Sequence, residues 1–419
     1  MRWRRFARKW LSLGRDANLV LAYTLLKSLG SCAFTLFFNL YVLSLGYEAD
    51  FVGLLMGLAA FPSIFLSMPV SFLSRRLGPR RSLVVSEVGV TAALAAVAFS
   101  TTPAALIATR TLLSCIMLLT DIATFPMVAR CCAPEQRDTL FSANHSVMLF
   151  SGVLGNVVAG LLPALFAATW GLEAEGALAY RLTLLVGAAL FGLSALPLLR
   201  VQPDRQAVTA RYANPLRLMA KLPEWGKLIL PQLIFSLGAS LFFPFFNVYF
   251  KQNFGISDAM LGVVFAVAGL FTGITSLLAP LASEKWGQVR AIIVVTLASL
   301  PFMLAMGWTG SVVVAVAAYW FRGAICKMGD PLYHALLMNS VDEDERPLLN
   351  GLFTMSSRLA GTFMPYVSGL VQVRQGFGPL YTSAAILYAV ATFTIYLYFY
   401  RGAGQRGGRT QGSPLPHAS

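Results

Sequence analysis

Eight ionisable residues lie inside long apolar stretches of the chain: Lys27, Glu87, Arg110, Asp121, Arg322, Lys327, Asp330 and Arg358. A charge at the centre of a hydrocarbon layer costs roughly 3 kcal/mol or more, so each needs a partner, a wet cavity or a route to the interface. Five are basic and three acidic, a positive excess that an anionic or carbonyl-bearing ligand would meet. Arg110 and Asp121 are eleven residues apart. On a helix that is about 20° from eclipsed with about 16 Å of rise, so they can line one cavity at two depths but cannot pair. Asp121 is the first candidate for proton coupling, because a carboxyl alternating between wet and dry surroundings can load and release a proton. The competing reading is a fixed ion pair with an arginine of a neighbouring helix. Arg322 and Asp330 occupy the matching helix further along the chain. Lys327 to Asp330 and Asp330 to His334 have the spacings of helix neighbours, and Pro331 frees a carbonyl beside Asp330. Arg110 and Arg322 each admit ligand contact or structural pairing. Lys27, Asn39 and Asn247 complete the candidate ligand or proton pathway. The two asparagines stand beside paired phenylalanines, where they either bridge helices or touch a ligand. Phe242, Phe243, Phe245 and Phe246 either line an apolar cavity or pack. The three histidines show no metal spacing and no phosphate-binding glycine loop is present, so no catalytic site, metal or cofactor is expected.

These charges need helices to hold them. The chain is 57% hydrophobic and 12% charged, with mean hydropathy +0.68, well below the charge that covers a soluble surface. Apolar runs of spanning length predict an all-α integral membrane fold with helices near 17–44, 51–73, 82–101, 103–124, 140–168, 179–199, 227–252, 259–282, 289–308, 311–336, 349–373 and 378–400. With the N-terminus inside, 24 basic residues fall on the inner side and only three, Arg181, Lys251 and Arg374, on the outer. That asymmetry predicts a multi-pass protein of the inner (plasma) membrane with both termini cytoplasmic. The net charge of +14 is then a topology signal and a contact for membrane lipids, not a nucleic-acid surface. In the first ten residues Trp3, Phe6 and Trp10 stand at helical spacing among basic residues, which reads as an interfacial helix and not a signal peptide. The five cysteines read as packing residues, not a disulfide set.

The sequence also repeats itself. Ser28–Tyr41 (SLGSCAFTLFFNLY) and Ser236–Tyr249 (SLGASLFFPFFNVY) share 8 of 14 positions at an offset of 208. The offset becomes 209 for Gly46 and Gly255, Gly53 and Gly262, Gly78 and Gly287, and Asp121 and Asp330. The expected organisation is a basic amphipathic segment at 1–16, a six-helix half at 17–199, a cytoplasmic linker at 200–226, a second six-helix half at 227–401 and a tail at 402–419. Two such halves can rock about an axis along the membrane normal, so that a central site opens to one side at a time.

The loop after the second span reads SFLSRRLGPRR from Ser71 to Arg81, and its counterpart reads PLASEKWGQVR from Pro280 to Arg290. The doubled pattern resembles the major facilitator superfamily over nearly the whole chain, with Gly78, Arg76, Arg80 and Arg81 matching in the first copy and Glu284, Lys285 and Gly287 in the second. Ser71 replaces the first glycine and Arg75 the aspartate. The resemblance implies twelve helices in two pseudo-repeats and loops that hold one conformational state, with Glu284 facing the start of the fifth helix near Arg137. Since Arg75 cannot do the same, a reversed pairing is expected, the Arg75–Arg81 loop gripping the acidic run that ends at Glu345 before the eleventh helix. Arg110 matches the family's arginine of the fourth span. Gly155, Asn156 and Gly160 partly keep the glycine pattern of antiporters, although the first span lacks the acidic residue common in drug exporters. The resulting expectation is a secondary transporter, a monomer that moves a small molecule by alternating access with protons. Efflux of a lipophilic or organic-anion compound ranks first. Uptake of a small metabolite, or a non-pumping receptor or lipid-handling protein, are the alternatives.

Overall fold

The computed structural model describes residues 14–133, 136–202, 222–341 and 345–401. The interfacial-helix segment up to residue 13, most of the linker, the tail after 401 and Asp342–Asp344 lie outside the described residues. The first six long helices are α1 (Arg15–Ser44), α2 (Ala49–Leu77), α3 (Pro79–Phe99), α4 (Pro103–Arg130), α5 (Arg137–Trp170) and α6 (Ala177–Arg200). α7 (Leu222–Phe242) passes through a 3-10 turn, Phe243–Phe245, into a short segment, Phe246–Phe254. Then come α8 (Asp258–Trp286), α9 (Gln288–Trp308), α10 (Val312–Asn339), α11 (Arg346–Gln375) and α12 (Gly378–Ile395).

Among the described residues, eleven of these helices are long and apolar enough to cross a membrane. The exception is α11, which carries Arg358 and Arg374 among many small and polar residues. It is laid against α2 and α7, and still exposes large apolar side chains such as Met355, Phe363 and Val373. Outward-facing side chains elsewhere are large and apolar, as at Phe65, Phe125, Leu165 and Val313, which suits a surface solvated by lipid tails.

The duplication is explicit in the packing. In the first half α1 packs on α5 and α6, α2 on α4, and α3 on α4 and α6; in the second, α7 packs on α11 and α12, α8 on α10, and α9 on α10 and α12. Gly78 and Gly287 turn the corners after α2 and α8 with φ of 80° and 76°, a region open to glycine and strained for other residues. Cys32, Cys115, Cys131, Cys132 and Cys326 are free thiols, and burial pushes Cys131, at the end of α4, up to about 12.

The halves meet along two seams, α2 on α11 and α5 on α8, with the short segment of α7 also touching α1. Both seams rest on glycine. A Cβ at Gly53 would run into the Pro365 carbonyl, one at Gly57 into the Thr362 carbonyl, and one at Gly369 into the Ala49 carbonyl. In the other seam a Cβ at Gly160 would stand 2.7 Å from the Asp258 carbonyl oxygen, and one at Gly262 would meet the Asn156 carbonyl. Gly53 and Gly262 are repeat equivalents, as are Gly160 and Gly369. These contacts lie at the end of the bundle that carries the α1–α2 and α7–α8 turns, called here the far end. The opposite, basic end carries Arg75, Arg76, Arg80, Arg81, Arg130 and Arg137.

Gly262→Leu is expected to wedge the α5–α8 seam apart, at about 1–3 kcal/mol of overpacking. A cysteine placed at Gly160, whose own place in the seam is set by Asp258 and Gly262, would already wedge it. The cysteine therefore goes at the neighbouring buried Ala159, where in the Gly262→Leu variant it should react with a hydrophilic maleimide. Labelling equal to that of the parent would show that the seam tolerates the side chain.

Candidate functional site

Pro244 breaks α7 where α1 runs through without interruption. Proline lacks the N–H that the helix ladder needs and crowds the preceding turn. The carbonyl of Pro244 itself accepts from Asn39 Nδ2 at 2.8 Å, and Asn247 Nδ2 donates to the Leu36 carbonyl at 2.7 Å. Leu36 and Pro244 are repeat equivalents, like the asparagines, so the two bonds are mirror statements of one contact. Asn39 Nδ2 also reaches Asn247 Oδ1 at 3.1 Å. The pair, both buried, forms a brace between the halves.

A cavity of about 260 Å³ lies against this brace, lined by Phe34, Phe38, Asn39, Arg110, Asn247 and Phe265 among others. The Arg110 guanidinium sits 5.2 Å from the ring centres of both Phe34 and Phe38. Its Nε is buried with no hydrogen-bond partner, and no carboxylate pairs with it among the described residues. A second cavity, about 280 Å³, opens inside the second half and is bordered by Arg322 and Tyr388. Of the phenylalanines flagged in α7, Phe243 and Phe246 line both cavities, whereas Phe242 and Phe245 are packed in the core.

The acidic candidates fare differently. Asp121 faces Arg358 of α11 at 3.9 Å, and Arg358 also donates to Ser63 at 3.2 Å. This is the fixed-pair alternative in a loose form: Asp121 stays 63% exposed, so the pair is weak and wet. Asp330 pairs with Lys327 at 2.9 Å and is 58% exposed. Lys27 stands within electrostatic reach of Asp121 and of Glu87. Glu87, a charge the sequence flagged without a role, is wholly buried, accepts from Tyr23 at 2.8 Å and keeps one oxygen unpartnered. Tyr23 carried no sequence signal apart from its place in an apolar span.

A family model described as Major Facilitator Superfamily matches the chain twice, over residues 19–235 and 228–417. The chain belongs to the major facilitator superfamily. It is a transporter and not an enzyme, built as a multi-pass membrane protein. The class H tetracycline resistance protein of Pasteurella multocida is 27% identical over 173 residues, which cover 40% of this chain and 42% of that protein. The chain thus spans less than half the length of that relative. The nucleoside transporter NupG superposes with a TM-score of 0.70 at 13% identity, covering 92% of this chain and 98% of its own. The human organic anion transporter MFSD10 does so with 0.57 at 17%, covering 91% and 99%. At these identities the two structures speak to the fold.

In this major facilitator protein the gate residues divide. Gly78 and Gly287 shape the two signature loops. Arg80 stays in its own half, donating to the Leu198 carbonyl at 2.9 Å and the Leu199 carbonyl at 2.6 Å. It caps the end of α6, where a cation is favoured. Arg76, Arg81 and Glu284 are exposed, and no ion pair joins Glu284 to Arg137 among the described residues. Arg75 and Glu345 are half-buried, while Asp342–Asp344, the rest of the expected acidic partner, lie outside the described residues.

The closed far end has a charged lock that sequence reading missed. Lys251 Nζ lies 2.5 Å from Glu175 of the α5–α6 loop and 2.8 Å from Asp258 at the start of α8; Tyr180 of α6 donates to Asp258 at 3.3 Å. Lys251 had figured only as one of three outer basic residues. Lys251 and Asp258 are only 10% and 5% exposed, so removing one partner strands the other. Lys251→Met is expected to cost about 3–5 kcal/mol, read as a lowered thermal unfolding temperature in detergent. Adding Asp258→Asn should recover most of the loss; a double variant no better than the single would show that the pair is not what holds this end.

Proposed function

We propose that this transporter exports an amphipathic organic anion by alternating access in exchange for protons. The observation that carries the reading is Arg110: a guanidinium stacked on two phenylalanines at a cavity between the halves, with no anion among the described residues to neutralise it. A buried cation without a partner is costly. A ligand with an aromatic body and an anionic head supplies both the charge and the ring contacts.

The direction is supported by the glycines of α5. Gly155 packs on Cys32 and Leu29 of α1, and Gly160 on α8, so the partial antiporter pattern is the stretch that seals the far end. Asp121 and Asp330, both more than half exposed, lie toward the basic end. With both termini cytoplasmic, the cavity faces the cytoplasm and receives cargo there. The partial likeness to a tetracycline resistance protein and the fold shared with an organic anion transporter agree with this choice. Protons enter through Asp121: the wet, loose contact with Arg358 is one that proton binding can break and deprotonation can restore. The protein works as a monomer, with membrane lipids around it.

The test uses inverted membrane vesicles, energised and loaded with a pH-sensitive dye, to which organic anions, neutral lipophilic drugs and small metabolites are added in turn. Anions are expected to release protons, Asp121→Asn to abolish the release, and Arg110→Gln to raise the half-saturating concentration about 10- to 100-fold, the worth of a charged hydrogen bond. Silence from anions, or release by neutral metabolites alone, would sink the reading. A second expectation concerns the basic end. Arg75→Glu should impair transport and Glu345→Arg, added to it, should restore part; a double variant as poor as the single would dispose of the reversed lock.

A further inference from the structure

We propose that the cavity inside the second half is a binding site in its own right for the ring system and single anionic head of an aromatic acid, with Arg322 as the group that takes the head. The proposal rests on the organic-anion reading and adds a location and a cargo shape to it.

Arg322 is 3% exposed and borders a cavity of about 280 Å³ among α7, α8, α9, α10 and α12. The ring of Phe242 lies 4.3 Å from its guanidinium carbon and that of Tyr388 5.7 Å, so its faces are held by cation–π contact. Its edge is not held. Nη2 donates to the Tyr388 hydroxyl at 3.3 Å, and Nε is buried with no partner. Asp330 also borders the cavity but is taken by Lys327 at 2.9 Å. The planar fork of arginine suits two oxygens of one carboxylate or sulfonate. Phe235, Phe243, Phe265 and Tyr319 supply apolar wall, and Ser236 and Thr296 supply polar rim. The volume is at the small end of ligand pockets, which fits a one- or two-ring molecule.

The repeat adds an independent reason. The position equivalent to Arg322 in the first half is Leu113, buried in the core, and the position equivalent to Arg110 is Tyr319. Neither arginine is a relic of the duplication, since each half has placed its cation at a different turn. Phe243, Phe246 and Phe265 line both cavities. The two guanidiniums therefore stand on opposite sides of a phenylalanine partition, two stations for one anionic head.

Binding of 1-naphthoate and of its neutral match 1-naphthamide to purified protein in nanodiscs, without a gradient, tests this directly. Naphthoate is expected to bind at least about tenfold more tightly than the amide. Arg322→Gln should shrink that difference, and Arg322→Lys should keep more of it. Cys326, which lines the same cavity, should react more slowly with maleimide when naphthoate is present, measured with the other four cysteines changed to serine. Equal binding of naphthoate and amide, full naphthoate binding by Arg322→Gln, or unprotected Cys326 would each overturn the proposal. Arg322→Lys and the labelling rate keep the test decisive if Arg322→Gln does not fold. Naphthoate binding at Arg322 with no proton release in vesicles would instead overturn export and leave this site standing.

Discussion

Everything else in the molecule is arranged around the asparagine brace. Asn39 and Asn247 each give an amide proton to a carbonyl of the opposite half, at Pro244 and Leu36. A buried amide or carbonyl left unpaired costs about 1–3 kcal/mol, so α1 and α7 are held in one register where they touch. From that point the two glycine seams run outward on either side, and the Arg110 cavity lies directly against the brace. The asparagines thus join the candidate pathway as its frame: they line the cavity, and their own hydrogen-bonding groups are largely committed to each other and to backbone.

The charges are sorted by depth. At the far end opposite charges are matched, Lys251 with Glu175 across the halves and with Asp258 in its own. In the middle, two arginines lie against aromatic rings with no carboxylate paired to them among the described residues. Toward the basic side the acids Asp121 and Asp330 are exposed, each with only a loose or local partner. Matched charges close a seam and unmatched ones leave the demand that the proposed anion would meet, so charge pairing thins from the far end inward.

Much of the fold could be read from the sequence, for specific reasons. Apolar runs marked the ends of most helices to within a few residues, and the offset between SLGSCAFTLFFNLY and SLGASLFFPFFNVY showed the duplication. α11, read as a span at 349–373 with the others, is the one long helix among the described residues that falls short of spanning hydropathy. The site was less legible. Helical spacing showed that Arg110 and Asp121 could not pair, but which rings would hold Arg110 depends on how α1 meets α4. The same is true of Tyr23 on Glu87 and of Arg358 on Asp121, contacts between helices far apart in sequence. The far-end lock escaped because Glu175 and Asp258 lie near turns, where charges are ordinary. The bonds of Arg80 to the end of α6 were equally out of reach, because a loop motif gives residue types and says nothing of which helix end is nearest.

Pro244 has a consequence of its own. Its equivalent is Leu36, so only one of the two crossing rods is jointed, and the piece beyond the joint, Phe246–Phe254, carries Lys251 and is tied by it to Glu175 in the first half. That piece is held from both sides: Lys251 ties it to the first half, while Tyr249 and Phe250 pack it on Phe377, Tyr381 and Tyr319 of the second. Two copies of one part have thus been given unequal mechanics, one rod stiff and the other hinged with a load on each side of its hinge.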